Sequence, residues 1–396
     1  MKIPHSLHPL LLALGAVTIM SAGAFAADGN SITIERPFDS LGFRNAILVN
    51  ISGFTGEADA VLKQDLMFMG YKNVPAAEAK YLVSGSNAGR VEGRVIEKIN
   101  NHQLHGRAYT GGSQRSLIHA LADDIARAIM PNETPIAQSK IAFKAMSGSG
   151  KAEIYVSDYD GFGAQAVTRD NSLVAAPCWA GKGTLLYTTY KLGNPYIYAQ
   201  QLSTGTRVAV AKFPGANISP AVSPNGKRVA MILSKNGSPD LYVANLDGGG
   251  LKQLSFSREA ESSPCWSPDG ETICFVSQIG GPPQLYTVSA SGGAPKRLRT
   301  TGVPSPTEPD WSPDGKWIAF TSMSRSFQIC IVPATGGDAI VLAQGEDPSW
   351  APNSRALIMS RGPGNGRHLC LLDVPAKQIK DIGRILGSDS QPSWAR

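Results

Sequence analysis

The stretch Ser263-Pro264-Cys265-Trp266-Ser267-Pro268-Asp269-Gly270 recurs along the chain in six related copies. The copies follow one another at intervals of 39 to 45 residues, counted at the position that Trp266 occupies. That interval is the length of one four-stranded propeller blade. The repeat therefore predicts a six-bladed β-propeller. The equivalent positions are Trp179, Val222, Trp266, Trp311, Trp350 and Trp394.

Each copy predicts the same local structure. Residues 267–270 suit a type I turn between two strands, and the apolar run 272–276 and the runs 284–288 and 295–299 predict the next three strands. The first blade, 141–167, contains only three such runs. We expect Gln391-Pro392-Ser393-Trp394 to supply its missing strand and so to close the ring, which leaves no open sheet edge.

The start of the chain predicts export. Lys2 precedes an apolar core over 10–20, and Ala24-Phe25-Ala26 fits a signal peptidase site, so we expect cleavage near Ala26 and a periplasmic protein. No later stretch approaches the roughly 18 to 20 apolar residues of a membrane span. Loss of Lys2 lowers the net charge from +6 to +5, and no basic run suggests nucleic-acid binding.

The sequence pattern divides the chain into four segments. We predict a signal peptide over 1–26, a small α/β domain over 27–130, a linker over 131–140 and the propeller over 141–396. The α/β domain should contain strands at 46–49 and 81–83, a helix at 57–69, a hairpin of 93–99 with 103–109, and a closing helix. Ser113 can cap that helix, whose apolar face carries Ile118, Leu121, Ala122, Ile125 and Ile129.

All five cysteines fall in the propeller, and an odd number leaves at least one thiol unpaired. We expect buried, apolar thiols and no disulfide framework. A three-residue loop over 268–270 would set Cys265 opposite Ile273, so that Cys265 and Cys274 would point to opposite faces.

Two further segments, IYVSDYDG (154–161) and LSKNGSPDLYV (233–243), closely resemble segments of the TolB family of the Tol-Pal system. The order of signal, α/β domain, six blades and terminal Trp strand resembles that family too. The resemblance implies a monomeric, non-enzymatic adaptor without a cofactor, which supports outer-membrane integrity and envelope constriction at division. It also implies two partners: the peptidoglycan-associated lipoprotein Pal, bound at the propeller mouth, and a TolA-like inner-membrane protein, bound by the mature N-terminus.

Topology places the partner site. In a four-stranded blade, the loops that enter the first strand and those that join the second to the third open on one face, which we call the mouth. By the resemblance, Ala216 lies where a Pal-contacting His lies in the family, and Ser262 where a Pal-contacting Thr lies. We expect Asn217 and Ser262 to provide hydrogen bonds near the centre of the interface. Glu308, Asp347 and Asp389 should select a basic patch on the partner. The candidate partner-binding residues are Ala216, Asn217, Ser262, Glu308, Asp347 and Asp389.

The mature N-terminus contains Ile32-Thr33-Ile34, which alternates apolar and polar side chains. Such a segment can add a strand to a partner's sheet edge, so we predict that it recognises the TolA-like protein. The alternatives are a strand of its own domain or a frayed terminus.

Two other classes of protein share propellers. A peptidase of the prolyl-oligopeptidase type needs a Gly-x-Ser-x-Gly elbow, which the chain lacks; Ser86 in Gly85-Ser86-Asn87-Ala88-Gly89 is one place early. A metal- or sugar-binding propeller would have to use 158–161 or the acids of the mouth. Only four His follow the signal, without His-Glu-x-x-His or paired Cys spacing, so we expect no metal site, although a calcium ion in the channel would leave no sequence signature.

Overall fold

The structure is a computed structural model that describes residues 42–147, 150–383 and 385–396. The predicted signal peptide and the predicted recognition strand Ile32-Thr33-Ile34 lie outside these residues. Within the described ranges, no helix has both the length and the apolar character to cross a membrane.

The N-terminal region is a five-stranded mixed sheet with two helices. The strand order is β2-β1-β3-β4-β5, in which β1 pairs parallel with β2 and β3 and the remaining pairs are antiparallel. The short β2 is the one strand here that the sequence pattern did not predict. The elements are β1 (Ile47–Ser52), α1 (Gly56–Phe68), β2 (Tyr71–Asn73), β3 (Tyr81–Ser86), β4 (Val91–Glu97), β5 (His102–Tyr109) and α2 (Gln114–Ile129).

Helix α2 begins and packs as the sequence predicts. The Ser113 side chain accepts a hydrogen bond from the backbone N–H of Ser116 at 3.2 Å, which satisfies one of the free N–H groups of the first turn. The five apolar side chains at helical spacing are all buried against the sheet and α1. Burial of this face, more than intrinsic propensity, stabilises such a helix.

Residues 140–396 form six four-stranded antiparallel sheets. Blade 1 contains β6 (Lys140–Met146), β7 (Ala152–Asp158) and β8 (Gln165–Ala166). Blade 2 contains β9 (Val174–Trp179), β10 (Thr184–Leu192), β11 (Asn194–Gln201) and β12 (Arg207–Ala211). Blade 3 contains β13 (Asn217–Val222), β14 (Arg228–Leu233), β15 (Asp240–Asn245) and β16 (Lys252–Gln253).

The second half of the ring repeats the pattern. Blade 4 contains β17 (Glu261–Trp266), β18 (Thr272–Ser277), β19 (Gln284–Ser289) and β20 (Lys296–Arg297). A short pair, β21 (Thr300–Thr301) and β25 (Gly337–Asp338), flanks blade 5, which contains β22 (Pro306–Trp311), β23 (Trp317–Met323), β24 (Phe327–Pro333) and β26 (Ile340–Gln344). Blade 6 contains β27 (Glu346–Trp350), β28 (Ala356–Arg361), β29 (His368–Asp373) and β30 (Gln378–Asp381), and the last strand is β31 (Ser388–Trp394).

The ring closes as predicted. Strand β31 pairs antiparallel with β6, with Trp394 opposite Ile141, so the last strand of the chain is the innermost strand of blade 1. Trp394 is buried, stacks on Tyr159 at 5.8 Å, and donates from Nε1 to Ser139 Oγ at 2.8 Å. The two ends of the propeller therefore hold each other.

The predicted equivalence of the tryptophans is confirmed for blades 1, 4, 5 and 6. Trp266, Trp311, Trp350 and Trp394 occupy the same register and are all buried. The predicted turn is also present, because the Gly270 N–H donates to the Ser267 carbonyl at 2.9 Å and Gly270 has a φ of 72°. That left-handed conformation suits glycine.

The predicted register of the two cysteines is wrong. The Ser267 N–H donates to the Thr272 carbonyl at 2.9 Å, so this pair extends the strands and leaves a four-residue loop, 268–271, instead of a three-residue one. Cys265 is consequently opposite Cys274, and the two thiols lie on the same face of the sheet. Both are buried and free, as are Cys330 and Cys370, while Cys178 is half-buried and free.

The N-terminal region packs on the propeller face that carries the hairpin loops between first and second strands. Asn353 Nδ2 donates to the Phe68 carbonyl and Arg355 Nη1 to the Arg44 carbonyl, both at 3.0 Å. A single hydrophobic cluster runs from the sheet and helices into blades 1 and 6. The segment 131–140, expected as a linker, takes part in it, since Ile136 and Ala137 are fully buried.

Polar side chains are buried at the same contact. We call Asp65, Arg115, His119, Tyr159 and Asp160 the junction network. The Tyr159 hydroxyl donates to Asp65 Oδ1 at 2.6 Å, His119 Nδ1 lies 2.8 Å from Asp65 Oδ2, and Arg115 donates to Asp160. Burial raises the pKa of Asp65, against the lowering effect of His119. Burial lowers the pKa of His119, but the hydrogen bond and charge of Asp65 outweigh it and the pKa is raised.

Candidate partner-binding site

The mouth is the face opposite the N-terminal region. The loops that join the first strands to the second strands, such as the one with Asn353, lie on the N-terminal region's side. The innermost strands β9, β13, β17, β22, β27 and β31 begin at the other end, together with the loops that join second and third strands. In the part of the N-terminal region that the structure describes, from residue 42 on, no element lies at the mouth.

Every innermost strand has a β-bulge at the same place, and the second residue of each bulge is a proline. Two residues of the inner strand face one residue of the second strand, as Ser263 and Pro264 do between the pairs Ser262 with Val276 and Cys265 with Cys274. The residue before the proline has a left-handed φ of 49° to 56° in all six blades. These residues are Ala176, Ser219, Ser263, Glu308, Asp347 and Gln391.

The sequence explains these bulges. A bulge leaves one backbone N–H without a partner. A proline at this position avoids the problem, because it has no backbone N–H. The second-strand residue opposite each bulge is large and fully buried, so its packing helps to hold the unusual backbone in place. These opposing residues are Phe143, Tyr187, Met231, Phe275, Phe320 and Met359.

The left-handed residues link neighbouring blades at the mouth. Glu308 Oε2 accepts from the backbone N–H of Asp347, Asp347 Oδ2 accepts from that of Gln391, and Gln391 Oε1 accepts from that of Ala176, each at 3.0 Å. We call this series, from blade 5 through blades 6 and 1 to blade 2, the mouth arc. The equivalent positions in blades 2, 3 and 4 carry the shorter side chains of Ala176, Ser219 and Ser263.

The predicted acids at the mouth are thus structural acceptors. Thr321 Oγ1 also donates to Glu308 Oε2 at 2.7 Å, and Ser360 Oγ donates to Asp347 Oδ2 at 3.0 Å. Burial and the neighbouring Asp347 carboxylate raise the pKa of Glu308 to about 8. Lys144 lies beside this pair, and burial lowers the pKa of its ammonium group despite the raising effect of Asp347.

The expected role of Asn217 as a central partner contact does not fit the structure. Its side chain is fully buried: the amide donates to the Phe213 and Gly215 carbonyls, and its oxygen accepts from the Phe213 N–H at 2.8 Å. Asp389 is also fully buried and accepts from the backbone N–H of Ile385 at 2.7 Å. Both residues shape their own loops, because a buried polar group must find its partners inside the protein.

Ser262 and Ala216 are half-buried at the mouth. The Ala216 N–H donates to Ser234 Oγ at 2.7 Å, which fixes the loop before β13. Of the predicted residues, Glu308 and Asp347 are brought together, and Ser262 and Ala216 remain partly open to a partner.

Sequence reasoning missed the apolar surface of the mouth. Ten large apolar side chains are exposed among the described residues, and six of them lie on mouth loops or on the strand ends beside them. Phe256 is the most exposed of the six, at 79%. Apolar residues in turn-rich loops could have signalled this surface. The six are Leu192, Phe256, Ile279, Met323, Phe327 and Leu386.

At the opposite end of the innermost strands, the C-terminal residue ties three blades together. Arg396 forms an ion pair with Asp310, and its guanidinium donates to the Trp311 and Trp350 carbonyls. Asp310 Oδ2 also accepts from the Trp350 N–H at 2.7 Å.

Six four-stranded blades, closed by the last strand and packed on a small α/β region, define a β-propeller protein whose mouth is not covered by the described α/β region. The model of the TolB beta propeller domain matches residues 131–396, and this chain belongs to that family. The match covers the linker and all six blades.

Known proteins agree with this assignment. The Tol-Pal system protein TolB of Francisella tularensis subsp. tularensis (strain WY96-3418) is 27% identical over 182 residues, which are 44% of this chain and 42% of that protein. The Tol-Pal system protein TolB of Desulfosudis oleivorans is 32% identical over 172 residues, 41% of this chain and 38% of that protein. The chain thus matches less than half the length of these relatives.

One solved structure resembles nearly the whole described chain. The crystal structure of TolB from Acinetobacter baumannii superposes with a TM-score of 0.77 at 23% identity, and the match covers 89% of this chain and 97% of that one. At this identity the likeness shows the shared fold.

Proposed function

We propose that this chain is a periplasmic, non-enzymatic adaptor of a Tol-Pal-type system. In this proposal the mouth binds a peptidoglycan-associated lipoprotein of the Pal type. The segment around Ile32-Thr33-Ile34 binds a TolA-like inner-membrane protein. The two contacts together would connect the inner membrane, the cell wall and the outer membrane and so support envelope constriction.

The exposed apolar side chains at the mouth are the observation that carries the proposal. Four of the six lie in two pairs, since Met323 is directly opposite Phe327 and Phe256 and Ile279 line one cavity. Exposed apolar groups that cluster in this way mark sites of protein contact. Aromatic and Met side chains are enriched at the centres of interfaces. Phe256, Met323 and Phe327 therefore replace Asn217 as the expected central contacts. Ser262 and Ala216 are partly exposed on the same face.

Membership of the TolB propeller family supports the identity of the partner, because the curated relatives are named as Tol-Pal system proteins. The proposal of a non-enzyme rests on the sequence, which has no Gly-x-Ser-x-Gly elbow. Export rests on the predicted signal peptide.

The test measures binding of the soluble domain of a Pal-type lipoprotein from the same genome to the mature protein by calorimetry. Phe256→Ser and Met323→Ser should each weaken binding at least about tenfold, since central contacts carry most of an interface's energy. Val208→Ser is the matched control, because Val208 is 59% exposed on the outer strand of blade 2. It should bind as the wild type does.

Two outcomes would overturn parts of the proposal separately. A folded wild-type protein that binds no Pal-type lipoprotein removes the adaptor function, and unchanged binding by both mouth variants moves the site elsewhere. Deletion of residues 28–35 should abolish capture of a TolA-like protein and leave lipoprotein binding intact. Turnover of peptide or ester substrates would favour a hydrolase instead.

A further inference from the structure

A cluster of three different metal-ligating side chains lies on the outer hairpin of blade 6. His368 and Cys370 are two residues apart on β29, so they share one face of the strand. Asp381 on β30 is directly opposite Cys370. The cluster lies on the two outermost strands of the blade, at their mouth end, because His368 begins β29 and Asp381 ends β30.

The three ligand atoms are close together. Cys370 Sγ donates to Asp381 Oδ1 at 2.9 Å, and His368 Nε2 lies 3.4 Å from the same oxygen. All three atoms lie within 4.8 Å of one another. A tetrahedral Zn²⁺ with bonds of about 2.0 to 2.3 Å would separate its ligands by about 3.3 to 3.7 Å. Small side-chain rotations would bring the cluster to that geometry.

Burial is graded across the cluster. Cys370 is fully buried between blades 5 and 6, the His368 side chain is 26% exposed, and that of Asp381 is 62% exposed. A cation entering from solvent would meet the carboxylate first, then the imidazole and the thiol. The exposed side would remain for a water molecule as the fourth ligand.

A second set of potential ligands in the described residues is already neutralised. His119, Asp158 and Asp160 also lie within 4.8 Å of one another, but Arg115 pairs with Asp160 and Lys140 with Asp158. A metal ion there would have to displace two cationic side chains. In the blade 6 cluster, the carboxylate pairs with the other two ligands. The charge of Arg361 also acts on Asp381 and on Cys370, where it favours the thiolate.

We propose that His368, Cys370 and Asp381 form a binding site for Zn²⁺ or a similar borderline divalent cation. The nitrogen, sulfur and oxygen donors suit such an ion better than Mg²⁺ or Ca²⁺, which prefer oxygen ligands alone. Binding converts the Cys370 thiol to a thiolate and releases its proton to solvent, so affinity rises with pH. The sequence did not predict the site, because His-x-Cys on one strand and Asp on the next match no standard metal-binding motif.

The test titrates the reduced, metal-free mature protein with Co²⁺, which adopts zinc sites and gives a thiolate-to-cobalt absorption band. We expect one Co²⁺ per chain, with the band present and displaced by Zn²⁺. Cys370→Ser should abolish the band. Asp381→Asn and His368→Gln, at the exposed end of the cluster, should weaken binding at least about tenfold, as loss of even an outer-shell group does.

Cys330→Ser is the matched control, because Cys330 is a buried propeller thiol on the equivalent strand of blade 5, and its variant should keep the band. Absence of the band in the wild type, or its survival in Cys370→Ser, overturns the site. If Cys370→Ser does not fold, Asp381→Asn and His368→Gln decide, and unchanged affinity in both overturns it.

Discussion

The mouth arc and the junction network both use carboxylates to tie distant parts of the chain together, but in different surroundings. At the mouth, Glu308 and Asp347 accept mainly from backbone N–H and hydroxyl groups and remain partly open. At the junction, Asp65 is fully buried between an imidazole and a phenol.

The two sites differ in which contacts the protein can lose without leaving a buried polar group unpaired. When a carboxylate at the partly exposed mouth is lost, the neutral donors can donate to water instead. Water cannot take the place of Asp65 at its buried site, so removal of Asp65 takes away the carboxylate that contacts His119 Nδ1 and accepts from the Tyr159 hydroxyl. We therefore expect the junction network to contribute more to folding stability and the mouth to contribute to partner recognition.

Deletion of residues 391–396 should have the largest effect, because it removes one end of both contacts. The mouth arc loses Gln391, and the junction side loses the buried Trp394 together with the inner strand of blade 1. Loss of a buried Trp alone costs about 3 to 5 kcal/mol. We expect loss of the cooperative thermal transition followed by circular dichroism. A truncated protein that melts as the full chain does would show that another contact closes the ring.

Asp65→Ala should lower the free energy of unfolding by about 3 to 5 kcal/mol, because it breaks a buried pair and leaves His119 inside. Asp347→Ala should cost about 1 to 2 kcal/mol, since it removes acceptors of the Ser360 hydroxyl and the Gln391 N–H at a half-exposed position. Urea unfolding measures both. Asp59→Ala, which removes a surface ion pair with Lys63 on α1, is the control and should change little. Equal losses of unfolding free energy in Asp65→Ala and Asp347→Ala would show that the junction carboxylate contributes no more to stability than the mouth carboxylate.

The smallest effect should be a pH dependence at the mouth. The pKa of Glu308 is raised to about 8 in the folded protein from an ordinary value of 4.5, so the unfolded chain releases this proton at lower pH than the folded one. Stability must therefore fall as pH rises from about 4.5 to 8. Glu308→Gln should flatten this slope by about 1 to 2 kcal/mol over the range, because water at the mouth limits the effect.

Other groups contribute slopes of the same sign, including His119, whose raised pKa adds stability that is lost above its ordinary range. The difference between wild type and Glu308→Gln, measured by urea unfolding at several pH values, isolates the mouth. Glu259→Gln, at an exposed acid in a mouth loop, is the control and should leave the slope unchanged. An identical slope in the wild type and Glu308→Gln would mean that Glu308 is ionised in the folded protein.

The spacing of the Trp repeat was enough to predict the six blades, and the missing strand of residues 141–167 was enough to predict that the C-terminus closes the ring. The apolar face of α2 and its Ser113 cap followed from helical spacing. These features can be predicted from the sequence, because backbone periodicity and turn chemistry depend on residues that are close together in the chain. The proline in every copy also stood in the sequence, although only the structure shows that it marks a bulge with a left-handed residue before it.

The contacts between residues distant in the sequence are visible only in the three-dimensional structure. Asp65 meets His119 and Tyr159 across two helices and a blade loop, and no local pattern links them. Burial of Asn217 and exposure of Phe256 reverse what their polarity suggests, because loop hydrogen bonds and blade packing, not residue type, determine which side chains face solvent. Likewise, a single extra pair, Ser267 with Thr272, moved Cys265 to the face of Cys274, since strand register depends on loop length to one residue.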